Sequence, residues 1–346
     1  MGEERFRNKV TWFSFGFSLL VIWVHSYNAE LYLGKTPKMA VVYRLEHCLG
    51  DGIAQIAVPG FFMISGYLFY RDFTWKKLGE KWQRRIGSVL VPYILWNFLY
   101  YLGYVIGSRL PWMTHVVGKG VIPFDLFTAV DAVINYTYNY VFWYLFQLIL
   151  LIVLAPVLYP LLCHWWSRLC LFAFLWWMVA TGNNLILVNA DAVIYYATAA
   201  ALAIGKKSWV EKALPDNMKR RGYLLGGLGM IGMAALIYHI GLRTAFVPCF
   251  VLCRLLGVAG LWMGVPGENL PVAGELMSHN FFLYGIHFAF VRFINKAGIW
   301  VFPATPAVPL LLYLFMPVLI LGIGLILGRA LRRWMPVTWG LLNGGR

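Results

Sequence analysis

The sequence predicts an all-α, polytopic integral membrane protein with about ten transmembrane helices. Of its 346 residues, 61% are hydrophobic and only 12% are charged, whereas soluble domains contain about 25% charged residues. Apolar runs long enough to cross a hydrocarbon core of about 30 Å recur along the whole chain. Its mean hydropathy is +0.69. These observations exclude a soluble globular protein, a disordered chain and a small disulfide-stabilised domain.

Charged or Gly- and Pro-rich breaks separate the apolar runs and define ten candidate spans. In chain order the spans cover residues 10–29, 51–70, 86–107, 139–162, 169–188, 190–205, 222–241, 245–265, 279–298 and 308–329. The longest intervening stretches, 30–50 and 108–138, are too short to be independent domains. We therefore expect a single domain over residues 1–346, without a separate soluble domain.

The positive charges predict the orientation of these spans. The chain has 29 Lys and Arg against 14 Asp and Glu, a formal net charge of +15, and Lys and Arg concentrate on the cytoplasmic side of membrane proteins. If the N-terminus is cytoplasmic, 20 of these cations fall in inner segments, seven in outer segments, and Arg254 and Arg292 within spans. This bias predicts an even number of spans with both termini cytoplasmic, and it favours anionic lipid over nucleic acid as a partner.

Ionisable side chains inside a membrane are costly and often face an interior cavity. His25 lies near the outer end of the first span and is followed by Ser26 and Asn28. An imidazole titrates near neutrality and can take a proton from a hydroxyl group, so His25 is a candidate general base or, alternatively, a hydrogen-bonded structural residue. His287, three residues after Tyr284, is better explained as a structural or site-lining residue.

Other polar residues near or within the spans are candidate site residues. Arg254 and Arg292 interrupt the eighth and ninth spans, and His47 and Asp51, four residues apart, share one face of a helix. The aromatic-rich outer stretch 108–144 either offers ring faces to a sugar or forms the aromatic belt found at membrane interfaces.

The region 58–97 combines three features. Ser65 and Gly66 form a small-residue surface that another helix or a thin ligand can approach closely. Pro92 is expected to interrupt the third span. Between them, residues 72–85 are predicted to form an amphipathic segment whose apolar face consists of Trp75, Leu78 and Trp82.

A cluster of cations lies on the polar side of that segment and around it. Two interpretations remain open, because such a cluster can bind anionic lipid head groups or the phosphates of a nucleotide-bearing cofactor. The cluster comprises Arg71, Lys76, Lys77, Lys81, Arg84 and Arg85.

Five sequence blocks occur in an order that resembles one known family of membrane enzymes. They are FSLLVIWVHSYN with His25; VPGFFMISGYLFYRD with Ser65, Gly66 and Tyr67; WQRRIGSVLVPYILWN with Arg84, Arg85, Pro92 and Trp96; FWYLFQLILLIVLAPVL with Trp143 and Pro156; and FFLYGIHFAF with Tyr284 and His287. Together they cover nearly the whole chain and resemble the membrane-bound acyltransferase 3 family.

The resemblance implies a multi-pass cell-membrane enzyme that transfers an acyl group from acyl-CoA, here most simply acetyl-CoA, to a hydroxyl of a cell-surface glycan or glycolipid. His25 corresponds to the family's essential histidine and would act as general base or as transient acyl carrier, without a metal. The resemblance and the basic cluster together assign acyl-CoA binding to Ser65, Gly66, Tyr67, Arg71, Lys77, Lys81, Arg84 and Arg85. Acceptor binding is assigned to His47, Asp51, Trp143, Tyr284 and His287.

Two positions depart from the family pattern. Ser14 stands eleven residues before the histidine, where a cation is usual, and Phe146 replaces a common Arg. Arg254 or Arg292 would then substitute, or the chain would be an inactive membrane sensor or scaffold. A transporter or flippase for a polar lipid or glycan precursor is a further alternative, although the sequence has no repeated halves.

Overall fold

The computed structural model describes residues 2–211 and 217–345, which form helices joined by short turns and contain no β-strand. The helices of the first half are α1 Glu3–Val24, α2 Ala29–Leu33, α3 Pro37–His47, α4 Ala57–Tyr70, α5 Leu78–Arg85, α6 Val91–Gly107, α7 Thr114–Val117, α8 Leu126–Ile134 and α9 Trp143–Val153. They are followed by α10 Ala155–Cys163, α11 Trp165–Ala180, α12 Ala190–Gly205, α13 Lys207–Val210, α14 Asn217–Thr244, α15 Val247–Gly264, α16 Glu275–Ser278, α17 Asn280–Val301, α18 Ala307–Trp334 and α19 Pro336–Leu342.

Within the described residues, six helical segments are long and apolar enough to cross a membrane. They are Glu3–Leu33, Pro37–Tyr70, Trp75–Gly107, Arg220–Thr244, Val247–Gly264 and Ala307–Trp334. Helices α9 and α10 form a further apolar pair bent by 67°, and α11 and α12 are shorter apolar helices. The all-helical class is therefore confirmed.

The number of crossings and the side on which the termini lie stay predictions. Each of the ten predicted spans overlaps at least one helix of the structure, although the fifth extends beyond the end of α11 and the ninth lies on α17, which is not among the six candidate spans. Lys212 and Arg346, two of the cations used to predict orientation, lie outside the described residues, as does the side chain of Lys219.

Large apolar side chains cover the surfaces of the long helices. On α14, Leu225 and Leu228 are 69% and 62% exposed, and on α18, Val318 and Ile326 are 62% and 70% exposed. In water, extended apolar surfaces of this kind are rare on monomeric proteins. Helices with apolar outer surfaces match a hydrocarbon environment, which agrees with an integral membrane protein.

Two boundaries differ from the sequence prediction for identifiable reasons. Pro92 does not break the third span but occupies the first turn of α6, where a missing backbone N–H costs nothing, and a π-helical segment, Ile86–Leu90, precedes it. The fifth span was expected over residues 169–188, whereas α11 ends at Ala180 and is followed by Gly182 with a positive φ of 71°. A left-handed glycine at this point stops the helix.

The chain divides into two compact units, each assembled from three segments. Unit 1 contains Met1–Phe17, Ile56–Trp82 and Gln147–Gly274, and unit 2 contains Ser18–Gln55, Gln83–Phe146 and Glu275–Arg346. The expectation of a single domain over residues 1–346 stays a prediction.

Unit 1 is built around close packing of α4 against α12 and of α14 against α15. Gly66 on α4 lies against the backbone of α12, so that a Cβ at this position would collide with the carbonyl oxygen of Tyr196. The fully buried side chains Phe62, Phe69 and Tyr70 of α4 fill the neighbouring core. The small-residue surface predicted at Ser65 and Gly66 is thus approached by another helix.

Unit 2 is held together by α17 packed against α18. Ile22 at the end of α1, Leu283 and Val291 of α17, and Met316 and Ile320 of α18 form one buried cluster. This apolar core fixes the end of α1 against α17, and both helices carry predicted site residues.

Candidate active site

The predicted site residues are distributed over both units. Unit 2 contains His25, His47, Asp51, Arg84, Arg85, Trp143, Tyr284, His287 and Arg292. Unit 1 contains Ser65, Gly66, Tyr67, Arg71, Lys77, Lys81 and Arg254.

His25 lies one residue beyond the end of α1, in a turn where its backbone N–H donates to the carbonyl of Ile22. Its side chain is half-buried. The chain after this turn is anchored by the buried carboxylate of Glu46, which accepts hydrogen bonds from the backbone N–H groups of Asn28 and Ala29. These N–H groups lie at the start of the short helix α2. The first N–H groups of a helix have no partner within the helix, and a carboxylate placed there accepts their hydrogen bonds. Glu46 therefore fixes the backbone that leads away from His25.

A phenol, an imidazole and an aromatic ring surround the His25 side chain. Nδ1 of His25 lies 3.0 Å from the hydroxyl oxygen of Tyr140. The ring of His25 lies 5.5 Å from that of His287 and 5.9 Å from that of Phe288, centroid to centroid. Tyr140 also packs edge-on against Phe288 at 4.6 Å. The structure thus joins His25 and His287, which the sequence treated separately, into one group.

Tyr140 is the member of this group that the sequence analysis missed, since it was assigned only to the aromatic stretch 108–144. It begins a 3₁₀ turn, Tyr140–Phe142, that leads into α9 at Trp143. Trp143, a predicted acceptor-binding residue, is half-buried three residues after Tyr140. The signal in the sequence that could have suggested the proximity of Tyr140 to the site is its position two residues before the block FWYLFQLILLIVLAPVL.

The hydrogen bonds of His287 fix its tautomer. Its Nδ1 lies 2.7 Å from the backbone carbonyl oxygen of Tyr284, and because a carbonyl only accepts, Nδ1 carries the proton. In the neutral ring Nε2 is then a lone-pair acceptor, and it has no hydrogen-bond partner within the described part of the chain. The Tyr284 hydroxyl donates to the carbonyl of Val141 at 2.6 Å. Tyr284 thus holds α17 against the turn that contains Tyr140.

His47 and Asp51 are neighbours, as their spacing predicted. Their side chains hydrogen-bond to each other, and the hydroxyl of Tyr27 donates to the Asp51 carboxylate at 2.8 Å. The ring of Tyr27 stacks on that of His47 with centroids 4.4 Å apart. Tyr27 is two residues after His25, so this polar cluster follows directly on the candidate base. Acceptor binding by His47 and Asp51 stays a prediction.

The two arginines within predicted spans have different surroundings. Arg254 of α15, in unit 1, interacts electrostatically with Asp191 and Tyr195 of α12. Asp191 is thus an acidic neighbour of Arg254. Arg292 of α17, in unit 2, donates from Nη1 to the hydroxyl of Tyr104 at 2.5 Å.

Arg71 was expected to bind phosphate, but its guanidinium is occupied by two carboxylates of unit 1. Nη2 donates to Glu3 at 2.6 Å and Nε donates to Glu211 at 2.7 Å. Glu211 also accepts from the hydroxyl of Tyr67 at 2.7 Å. The hydrogen bond to Glu3, and to a lesser extent that to Glu211, raises the pKa of the Arg71 guanidinium above its usual value. This geometry makes Arg71 and Tyr67 structural members of an ion-pair network, and phosphate binding by either stays a prediction.

The amphipathic segment predicted over residues 72–85 is helical, with a 3₁₀ turn at Trp75–Lys77 followed by α5. Trp82 donates from its indole N–H to the carbonyl of Ile152 at 2.9 Å. This hydrogen bond attaches the apolar face of the segment to the end of α9 within unit 1. Lys81 donates to the carbonyl of Arg71 at 3.1 Å and Lys77 to that of Asp72 at 3.5 Å. Two of the predicted cations therefore also cap the turn before the segment.

Asp72 begins this turn and pairs with Lys207 at 2.7 Å. The hydrogen bond from Lys207 lowers the pKa of the Asp72 carboxyl. Arg84 and Arg85 end α5, where Arg84 is exposed and Arg85 half-buried. These two arginines belong to the segment of unit 2 that leads into α6.

Unit 1 also contains an apolar cavity of about 90 Å³ that the sequence did not predict. Side chains of α1, α4, α12 and α15 line it, among them Phe13, Met63, Tyr67 and Trp262. Beside Trp262, the buried side chain of Lys9 donates to the carbonyl of that residue at 2.7 Å and lies 4.0 Å from its ring. In residues 2–211 and 217–345 no group of three or more His, Cys, Asp or Glu could hold a metal ion.

Comparison with known protein families gives one match. The acyltransferase 3 family model, described as an acyltransferase domain, matches residues 16–329. This range includes every predicted site residue from His25 to Arg292. No curated protein and no solved structure shows significant similarity to the chain. With a match over most of its length and helices that suit a membrane, the chain belongs to the acyltransferase 3 family and is a membrane acyltransferase.

Proposed function

We propose that this protein is an O-acyltransferase of the cell membrane that moves an acyl group, most simply acetyl, from acyl-CoA to a hydroxyl of a cell-surface carbohydrate. The observation that carries the proposal is the environment of His25. Its Nδ1 is held by the hydroxyl of Tyr140 at 3.0 Å, which leaves Nε2 to act on a substrate. A half-buried imidazole with one nitrogen fixed and the other available is the arrangement expected of a general base.

In the proposed reaction, Nε2 of His25 takes the proton of the acceptor hydroxyl. The hydroxyl oxygen attacks the thioester carbonyl, a C–O bond forms, and the C–S bond to coenzyme A breaks. The proton then passes from His25 to the leaving thiolate, so that the imidazole returns to its neutral form. General-base action of Nε2 needs the imidazole tautomer in which Nδ1 carries the proton. In that tautomer the Nδ1–H group donates a hydrogen bond to the Tyr140 oxygen.

Transient acylation of His25 is a second form of the same proposal. The imidazole would attack the thioester first, and the acceptor hydroxyl would take the acyl group in a second step. The general-base form involves fewer steps and is preferred for that reason.

For the acyl donor, we propose that Arg84 and Arg85 bind the phosphates of coenzyme A. Arginine favours bidentate contacts with phosphate, and Arg84 is exposed at the end of α5. Arg71 is left out of this assignment because Glu3 and Glu211 occupy its donors.

The proposed topology has ten spans with both termini in the cytoplasm. Its support is the distribution of Lys and Arg along the sequence and the overlap of each predicted span with at least one helix. In this orientation the end of α1 that bears His25 faces outward. A membrane enzyme would then connect a donor made inside the cell with an acceptor displayed outside.

One experiment tests the function and its alternatives together. The purified full chain is incubated with radiolabelled acetyl-CoA and candidate glycans, and label is followed into each product. Label entering a glycan supports the acyltransferase. Binding of coenzyme A without turnover would instead support an inactive scaffold, and uptake of glycan precursors into proteoliposomes without any acyl transfer would support a transporter.

A further inference from the structure

Arg292 lies in the same group of side chains as the candidate base. It occupies α17 four residues after Phe288, one helical turn further along the same face. Its guanidinium carbon lies 5.5 Å from the centroid of the Phe288 ring, and that ring contacts both His25 and Tyr140. A single aromatic ring thus links Arg292 to the candidate active site.

The positive charge of Arg292 has no acidic partner in the described part of the chain. Unit 2 contains six acidic residues, and the carboxylates of all six have other contacts. Their partners are Lys35 for Glu30, backbone amides for Glu46, His47 and Tyr27 for Asp51, Thr128 for Asp125, Thr137 for Asp131, and Arg329 for Glu275.

The guanidinium uses little of its hydrogen-bonding capacity. Of the five N–H donors in an arginine side chain, one is bonded within the residues that the structure describes, to the Tyr104 hydroxyl at 2.5 Å. The side chain is nevertheless half-buried within a predicted span, where an unpaired charge is costly. A guanidinium retained in such a place without a counter-charge is suited to an anion supplied from outside the chain.

A second cation contacts the same tyrosine. Lys119 lies 5.7 Å from the centroid of the Tyr104 ring and 5.1 Å from that of Tyr138. Its ammonium group donates to the backbone carbonyl of Thr137 at 3.3 Å, and no carboxylate of the described residues pairs with it. Tyr104 therefore connects two cations of unit 2, one half-buried and one exposed.

From this arrangement we infer that Arg292 binds an anionic group of the acceptor, a carboxylate or a phosphate, and that the acceptor is an acidic carbohydrate. Lys119 adds to the attraction at the rim. Arginine presents paired donors that match two oxygens of either anion. The statement about the acceptor rests on the proposed transfer reaction, whereas anion binding at Arg292 does not depend on turnover.

Binding measurements on the purified full chain in detergent test this inference. The probes are oligogalacturonate and a sialic acid oligomer for the carboxylate, a phosphorylated oligosaccharide for the phosphate, and neutral oligosaccharides of the same length. At least one acidic probe is expected to bind about ten-fold or more tightly than its neutral counterpart, because a hydrogen bond to a charged group is worth at least that factor. Arg292→Gln removes this preference, and Arg292→Lys retains part of it.

Arg44→Gln is the matched control. Arg44 lies on the same unit, is exposed, and donates to the carbonyl of Ala40, its one hydrogen-bond acceptor among residues 2–211 and 217–345, so the preference for the acidic probe should be unchanged. Equal binding of acidic and neutral probes by the unaltered protein, binding of no acidic probe, or undiminished preference in a folded Arg292→Gln protein would each overturn the inference. Acid-selective binding without any acyl transfer would contradict the proposed function and leave the anion site standing.

Discussion

The hydroxyl oxygen of Tyr140 and Nδ1 of His25 lie 3.0 Å apart, although 115 residues separate them in the chain. The contact joins the turn before α9 to the end of α1 within unit 2. It gives His25 a partner that fixes the imidazole ring and, in the proposed mechanism, its tautomer. Tyr140 is thus a positioning residue for the candidate base.

Tyr140→Phe tests this relationship. The variant retains the ring that packs on Phe288 but loses the hydrogen bond, so the turnover rate should fall about three- to ten-fold, the value of one neutral hydrogen bond. The KM for acetyl-CoA should change little, because Tyr140 is not assigned to the donor. Initial rates over a range of acetyl-CoA concentrations measure both parameters.

Tyr136→Phe serves as the control for Tyr140→Phe. Tyr136 lies in the same segment and packs against Phe146, and its hydroxyl has no assigned role. We expect normal turnover from this variant. If Tyr140→Phe and Tyr136→Phe behave alike, the hydrogen bond to His25 does not assist the reaction.

The cations of the basic cluster are predicted to separate into structural and donor-binding groups. Arg71→Gln breaks the pairs with Glu3 and Glu211 and removes the guanidinium from a partly buried ion-pair network, so it should lower the thermal unfolding temperature of the purified protein. The double variant Arg84→Gln, Arg85→Gln should bind coenzyme A at least about ten-fold more weakly, an effect that Arg71→Gln should not produce. Thermal unfolding and a binding titration on each protein distinguish the two effects.

Lipid association provides the control for these variants. If Arg84 and Arg85 serve only to bind anionic lipid, their replacement will reduce association with anionic vesicles and leave the affinity for coenzyme A unchanged. That result would remove the donor-binding assignment of this pair.

Gly285 is a position where any side chain should lower the stability of the fold. It lies between Tyr284 and His287 on α17, and a Cβ at this position would collide with the ring of Trp96. Gly285→Ala should therefore lower the free energy of unfolding by about 1–3 kcal/mol, as expected when a well-packed core is overfilled. Gly103→Ala on α6 is the matched control, since in the described part of the chain a methyl group at this position would meet nothing within 4 Å beyond its chain neighbours and the adjacent helix backbone, and alanine favours a helix. Thermal unfolding of both variants in detergent makes the comparison.

The helical class and the approximate positions of the spans were predictable because each depends on local composition. The span predicted over residues 190–205 coincides with α12. Errors arose where single residues set a boundary, as with the left-handed Gly182 after α11. Pro92 was expected to interrupt the third span, yet the helical segment Trp75–Gly107 continues through it, and Pro92 lies in the first turn of α6, where proline is tolerated, rather than in its interior.

The candidate site was predictable only in part. His25 and His287 were identified because ionisable residues are conspicuous in apolar spans. Tyr140 was not, since an aromatic residue near a membrane interface is common and only tertiary packing brings it to His25. The basic cluster illustrates the same limit, because the carboxylates that occupy Arg71 come from positions 3 and 211, far away in sequence.

The central claim is that His25 performs the chemistry of acyl transfer, and the most direct test is the rate of label transfer from radiolabelled acetyl-CoA to glycan by the His25→Ala protein. His239→Ala, which alters an exposed histidine of α14, is the matched control. If His25 is the general base, His25→Ala lowers the rate by at least about 100-fold, the usual minimum for loss of a general base, while folding and coenzyme A binding persist. Transfer by a folded His25→Ala protein at the rate of the His239→Ala control would contradict the central claim.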